Sequence, residues 1–226
     1  MSRIHRGAAA AALAAACCLT ATGTAHAIIG GSAVKNISNA PWAAQVRFNG
    51  GGSHCSGAVI AAQWVLTAGH CKSNDDFVLL GSVTKGQGTQ ISTDRQIQAD
   101  GEDILLLHLT KPYKTTYAPY GSSGDRPADG KSVTAYGYGD TDNDGGKSTT
   151  LKTCTMKVKD NDASDGKNDH VIQLTKGSGI SASGDSGGPV FYGGVIVGTD
   201  SRGTDTVKDY ADITSYSGWI SRTVGS

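Results

Sequence analysis

The sequence predicts an all-β protein that closes on one short helix. Three observations lead there. Glycine fills 32 of the 226 positions while charged residues make up only 18%, a turn-rich and charge-poor composition that suits many short strands. Apolar stretches recur at Val59-Ile60, Trp64–Leu66, Phe77–Leu80, Ile104–Leu109, Val133–Tyr138, Val171–Leu174 and Val190–Val197, most of them fenced by Gly, Asn, Asp or Ser. That pattern belongs to a sandwich or to barrels, not to alternating strand–helix units. Helical spacing is convincing only around Thr214–Arg222, where Tyr216, Trp219 and Ile220 fall three and four residues apart.

In chain order, the first segment reads as a targeting signal. Arg3 and Arg6 lead into the small apolar stretch Ala8–Leu19, and Ala25-His26-Ala27 is a small-x-small cleavage site. Residues 1–27 are therefore assigned to a signal peptide and the mature chain, from Ile28, to the extracellular medium. No other apolar run reaches the ~18 residues of a membrane span. Removing two basic residues and no acid from a chain of 20 Lys+Arg and 20 Asp+Glu leaves a net charge of −2. Such a balance offers no basic footprint for nucleic acid. The 199 residues of Ile28–Ser226 can bury one large β domain or two small barrels. A connector at Tyr113–Gly130, with Pro119 and Pro127, divides an N-terminal half of about 28–120 from a C-terminal half of about 121–226. Cys55, Cys71 and Cys154 remain in the mature chain, so an exported protein can form one bridge and must leave one thiol over.

Three segments carry chemistry: Leu66-Thr67-Ala68-Gly69-His70-Cys71, Asp103–Leu109 and Gly184-Asp185-Ser186-Gly187-Gly188-Pro189. Each alone has a structural reading. Together they supply what acyl transfer needs. A serine hydroxyl is a poor nucleophile without an adjacent base, histidine is the natural base near neutral pH, and an imidazole needs a carboxylate to fix its tautomer. His70, Asp103 and Ser186 occur in the order His, Asp, Ser.

On these motifs, with Ile28-Ile29-Gly30-Gly31 at the mature start, Cys55-Ser56-Gly57 before the histidine and Tyr216-Ser217-Gly218-Trp219-Ile220 at the end, the chain resembles the chymotrypsin-like (trypsin-fold) serine endopeptidases, secreted bacterial type, over nearly all of Ile28–Ser226. The resemblance implies two perpendicular six-stranded antiparallel barrels with a C-terminal helix. It implies His70, Asp103 and Ser186 as the catalytic triad in the cleft between them, and the backbone amides of Gly184 and Ser186 as the oxyanion hole. It also implies a Cys55–Cys71 disulfide, with Cys154 left as a buried thiol. Asp185 would pair with the free amine of Ile28. Cleavage after Ala27 exposes Ile28 directly, so signal removal itself is expected to activate the enzyme.

Specificity is expected to be non-tryptic. Trypsin carries an Asp six residues before its serine; here Ile180 stands there and cannot pair with Lys or Arg. Gly198 and Lys208 are the other expected pocket residues, so apolar or small side chains are favoured and acidic ones allowed by Lys208. Asp140, Asp142 and Asp144 form a D-x-D-x-D-G run suited to calcium, but Leu151 stands where an EF-hand loop needs Glu, and a solvated loop is the preferred reading. His54, His108 and His170 read as structural or surface residues. No metal and no cofactor is expected. The expected partners are protein or peptide substrates, with a protein inhibitor as an optional one, and the expected state is a monomer. Two other functions stay open: a catalytically silent protease-fold binding protein, and an esterase with the same acyl chemistry.

Overall fold

The computed structural model describes residues 28–49, 54–74, 76–140, 148–164 and 169–225. The expected signal peptide, residues 1–27, and Asp142 and Asp144 of the acidic run lie outside the described residues. After the two-residue β1 (Ser32–Ala33), six strands close an antiparallel barrel. They are β2 (Ala43–Phe48), β3 (His54–Ala61), β4 (Trp64–Thr67), β5 (Asp76–Leu80), β6 (Thr89–Gln98) and β7 (Leu105–Leu109), in the order β2-β3-β4-β7-β6-β5. Six more follow the connector: β8 (Ser132–Gly137), β9 (Lys152–Ser164), β10 (His170–Lys176), β11 (Pro189–Tyr192), β12 (Val195–Gly203) and β13 (Val207–Asp212). They run β9-β10-β13-β12-β11-β8, and the pairing of β8 with β9 closes this second barrel.

The seven apolar stretches coincide with strands, with Ile104 and Tyr138 just outside β7 and β8. Val190–Val197 is not one strand but two, split by a turn at Gly193 and Gly194, whose φ values of +59° and +90° favour glycine. The terminal helix begins with a 3-10 turn, Thr214–Tyr216, before α1 (Ser217–Val224). Among the described residues no helix is long and apolar enough to cross a membrane.

Side-chain alternation explains why the chain is apolar without a break from Ile104 to Leu107. Leu105, Leu107 and Leu109 point into the first barrel, against Val46, Val59, Val65, Val78 and Ile91. Ile104 and Leu106 point the other way, into a seam shared with Trp42, Tyr138, Leu151, Ile196 and Ile213. A strand buried on both faces has no polar side to show. The same seam receives Ile220 of α1, so the final helix locks the two barrels together. Val133, Met156, Ile172, Leu174, Val190 and Tyr210 fill the second barrel.

Cys55 of β3 and Cys71, in the turn after β4, form the expected disulfide, with Cα atoms 6.2 Å apart and 16 residues of separation. Closing a loop of that length constrains the unfolded chain by about 3 kcal/mol. Cys154 is a buried free thiol, and burial pushes it up to about 12, which keeps it protonated and inert.

Candidate active site

The histidine is placed by a short turn. β4 ends at Thr67, Gly69–Cys71 wind into a 3-10 turn, and the amide of Lys72 closes it on the Gly69 carbonyl at 3.1 Å. Glycine at 69 leaves room for the neighbours of the turn, because a Cβ there would stand 2.5 Å from Gln98 Nε2 and 3.0 Å from Asp103 Oδ1. Asp103 lies in the turn between β6 and β7, where the Ala99 amide donates to the Ile104 carbonyl at 3.0 Å.

The two residues are joined twice. The main-chain amide of His70 donates to Asp103 Oδ1 at 2.7 Å, and His70 Nδ1 meets Asp103 Oδ2 at 2.8 Å. Ser201 Oγ, at the end of β12 in the other barrel, donates to the same Oδ2 at 2.6 Å. An acceptor-only carboxylate facing Nδ1 selects the tautomer with its proton there, which leaves Nε2 as the basic nitrogen. The hydrogen bond to Asp103 raises the His70 imidazole above its ordinary value, against the opposing effect of burial. Burial alone would push the Asp103 carboxyl up, but the hydrogen bonds from His70 and Ser201 outweigh it and hold the carboxyl below the usual carboxylate range. The carboxylate is enclosed, with its side chain 8% exposed, whereas the imidazole is 44% exposed. It opens onto a cleft of about 280 Å3 lined by Gly69, Gln98, Glu102, Asp103, Asp169 and Arg202.

The segment of Ser186 is held against the same place. Its carbonyl accepts the Ser56 amide at 2.8 Å and lies 3.7 Å from Cys71 Sγ. A ring nitrogen of His70 lies within 4.8 Å of the sulfurs of Cys55 and Cys71, so one disulfide borders both the histidine turn and the serine loop. Those sulfurs are bonded to each other and are not available to a metal. Ser56 Oγ donates to the Gly184 carbonyl at 3.0 Å and accepts the Tyr138 amide at 2.9 Å. Gly184 has φ +86°, and a Cβ on it would stand 2.3 Å from His54 Nε2. Only glycine fits both demands.

Over this frame the family model described as Trypsin matches residues 28–220. The chain belongs to the trypsin family. It is similar to the trypsin of Xenopus laevis, 29% identical with 88% of this chain and 91% of that protein covered. It is also similar to trypsin-1 of Salmo salar, 28% identical over the same shares. Among solved structures, neuropsin, a serine protease expressed in the limbic system of mouse brain, superposes with a TM-score of 0.72 at 25% identity, covering 87% of this chain and 99% of that one. A scabies mite inactivated protease paralogue shares the fold with a TM-score of 0.78 at 20% identity, covering 88% and 97%.

In this trypsin-family chain, Asp185 is sealed in, at 1% exposure. Its Oδ1 accepts the Gly139 amide at 2.7 Å and its Oδ2 the Ala182 amide at 2.8 Å. Burial still pushes its carboxyl up to about 7. Ile28 is also buried, at 1% exposure, and Ile29 bridges to Ile180. A folded-state value above the unfolded 3.8 means that the folded chain binds the extra proton, so stability falls as pH rises from about 4 to 7. Asp200, pushed up to about 7 chiefly by its own burial, adds in the same direction. The uncut precursor is therefore expected to melt at a lower temperature at pH 8 than at pH 5, and Asp185→Asn to flatten that slope. Calorimetry of the precursor in a Ser186→Ala background measures it, and an unchanged slope in Asp185→Asn would refute the assignment.

The expected pocket residues all belong to the second barrel. Ile180, 2% exposed, is core of the second barrel. Gly198 is buried in β12, where a Cβ would meet the Ala211 carbonyl at 3.1 Å, Tyr210 Cβ and Val190 Cγ1, so it packs closely between strands. Lys208 runs along β13 beside Gly203, its Cδ 3.0 Å from where a Cβ on Gly203 would stand. Two contributors were not anticipated. Ser201 completes the carboxylate's shell, and Asp200, 6% exposed, places a carboxyl on the same sheet face as Tyr210 and Lys208. Lys208 and the Ser181 hydroxyl both draw the Asp200 carboxyl back toward ionisation. The polar run Thr199-Asp200-Ser201-Arg202 inside an apolar barrel was the available signal. Asp140 pairs with Lys85 at 3.5 Å. Of the other histidines, His54 lies against Gly184, His108 pairs with Asp94 and His170 with Glu102.

Proposed function

We propose that the mature chain is a secreted serine endopeptidase. The observation that carries this reading is the double hydrogen bond of His70 to an enclosed Asp103, with the serine loop bordering the same disulfide. Ser186 Oγ attacks a peptide carbonyl while His70 Nε2 takes its proton. The proton passes to the leaving amine, and an acyl-enzyme forms. Water then repeats the sequence and releases the acid. Asp103 holds the imidazole and stabilises its cation. The amides of Gly184 and Ser186 receive the oxyanion, each donor contributing about 3 kcal/mol of transition-state stabilisation.

Removal of residues 1–27 frees the Ile28 amine, which supplies the cation that buried Asp185 lacks in the uncut chain and orders the 184–186 loop. Ile28 is the non-glycine residue with positive φ among the described residues, at 52°, a strained value for a β-branched side chain. That torsion is defined through the preceding carbonyl carbon, so cutting the bond abolishes it.

Specificity is non-tryptic. Ile180 offers no carboxylate, and the field of Lys208 acts on the buried Asp200, a combination that favours small or apolar side chains before the scissile bond. The inactivated mite paralogue shows that this fold alone does not secure activity, so the test is functional. The protein is isolated from culture medium, its start is read by mass spectrometry, and it is assayed on casein, a small ester and peptide amides carrying Arg, Phe, Leu, Ala or Glu. Casein cleavage by a chain starting at Ile28 is expected. Turnover of the ester alone would replace peptidase by esterase, and fastest cleavage after Arg would overturn the specificity.

A further inference from the structure

Glu102 directly precedes Asp103 in a surface turn, where a glutamate would ordinarily be solvated, yet it is 5% exposed. Its carboxylate is consumed by donors from outside its own barrel. Oε2 accepts the main-chain amide of His170 at 3.1 Å, Oε1 meets His170 Nδ1 at 2.8 Å, and Oε1 also accepts the hydroxyl of Tyr216. His170 opens β10 of the second barrel, and Tyr216 lies in the turn that leads into α1.

A second set of contacts returns to the same place. Asp169, the neighbour of His170, accepts Arg202 Nη2 at 2.9 Å. Arg202 Nε donates to Ser201 Oγ at 3.3 Å, and Ser201 Oγ donates to Asp103 Oδ2. Two peptide links, Glu102-Asp103 and Asp169-His170, complete a closed ring. It passes through Asp103, Glu102, His170, Asp169, Arg202 and Ser201 and crosses between the barrels twice.

We propose that Glu102 is a positioning residue. Through His170 and Tyr216 it clamps the 99–103 turn of the first barrel to the second, and so sets the plane of the Asp103 carboxylate against His70. The proposal rests on the triad reading above and deepens it. The physical need is specific. Asp103 and His70 belong to the first barrel and Ser186 to the second, so proton transfer depends on a relative placement that no covalent bond enforces. Displacements of about 1 Å at such sites can cost 100-fold in rate. Besides Glu102, the charged groups around His170 are Asp212 and Arg126, and those around Tyr216 are Asp169 and Asp212. The hydrogen bond to Glu102 raises His170 above its ordinary value, which keeps the clamp charge-assisted in mildly acidic medium.

The experiment uses Glu102→Gln and the milder Tyr216→Phe in the full secreted chain. Glu102→Gln places an amide opposite donors and is expected to lower kcat on a peptide amide about tenfold with KM within twofold. Tyr216→Phe should do the same more weakly. In a Ser186→Ala background, the titration of His70 followed by NMR should move to lower pH in Glu102→Gln. This readout needs no turnover, so it decides the clamp even where the peptidase reading itself fails on the wild-type protein. A lower melting temperature with unchanged kcat and unchanged His70 titration would overturn the proposal and leave the ring as a structural staple.

Discussion

Ser186→Ala is expected to reduce kcat on a peptide amide by about 10^6-fold with little change in melting temperature. The substitution removes one hydroxyl oxygen, and the interactions that hold residue 186 in place are made by its main chain. The carbonyl on the Ser56 amide and the Gly187 amide on the Asp200 carbonyl, at 2.8 and 2.7 Å, remain after the exchange. The loop therefore keeps its shape and loses only its nucleophile. His70 and Asp103 cannot compensate, because they move a proton and form no bond to carbon. The variant should still bind peptide, so a lost kcat with a measurable dissociation constant is the signature. Full casein activity in Ser186→Ala would end the peptidase reading.

Asp103→Asn should cost about 10^4-fold at pH 7. The carboxylate meets donors at both oxygens: the His70 amide at Oδ1, and His70 Nδ1 and the Ser201 hydroxyl at Oδ2. An amide has one acceptor oxygen and one NH2. With NH2 at the Oδ2 position, His70 is forced to carry its proton on Nε2 and can no longer accept one from serine. With NH2 at the Oδ1 position, two donors oppose each other in an enclosed site. The surviving activity should also titrate differently. Neutral His70 is the working form, and its value is raised by the hydrogen bond to Asp103. Removing the carboxylate moves the acid limb of kcat/KM to lower pH. A loss under tenfold, or an acid limb that stays put, would contradict the role given to Asp103.

Much of this was legible in the chain, and the reasons differ by element. The seven apolar stretches became strands because burial demands apolar side chains wherever a strand is covered on both faces, as Ile104–Leu109 is. The strands β2, β6, β9 and β13 went unread because one face of each is polar or exposed. β6, Thr89–Gln98, keeps only Ile91 buried, so its pairing with β5 and β7 comes from backbone hydrogen bonds that no side-chain pattern records. The surroundings of the expected pocket residues were less legible for a related reason. Counting along a motif carries a residue to its strand, but register shifts between Val190 and Phe191 and between Asp200 and Arg202 decide which neighbours its side chain meets. Gly198 fell into the sheet, and Ser201 reached Asp103.

What the sequence determined by itself was the set of groups available for the proposed chemistry. A hydroxyl, an imidazole and a carboxylate stand in a family-specific order, each beside the glycines and cysteine that its turn requires, because covalent neighbours alone dictate those local turns. The tertiary structure decided what depends on contacts between distant segments: the burial of Asp185, Asp200 and Glu102, the Ser201 bond to Asp103, and the ring that ties the barrels together. A carboxylate acquires its charge state from the groups folded around it. Those groups lie up to 98 residues away from Asp103 along the chain, beyond the reach of any local pattern.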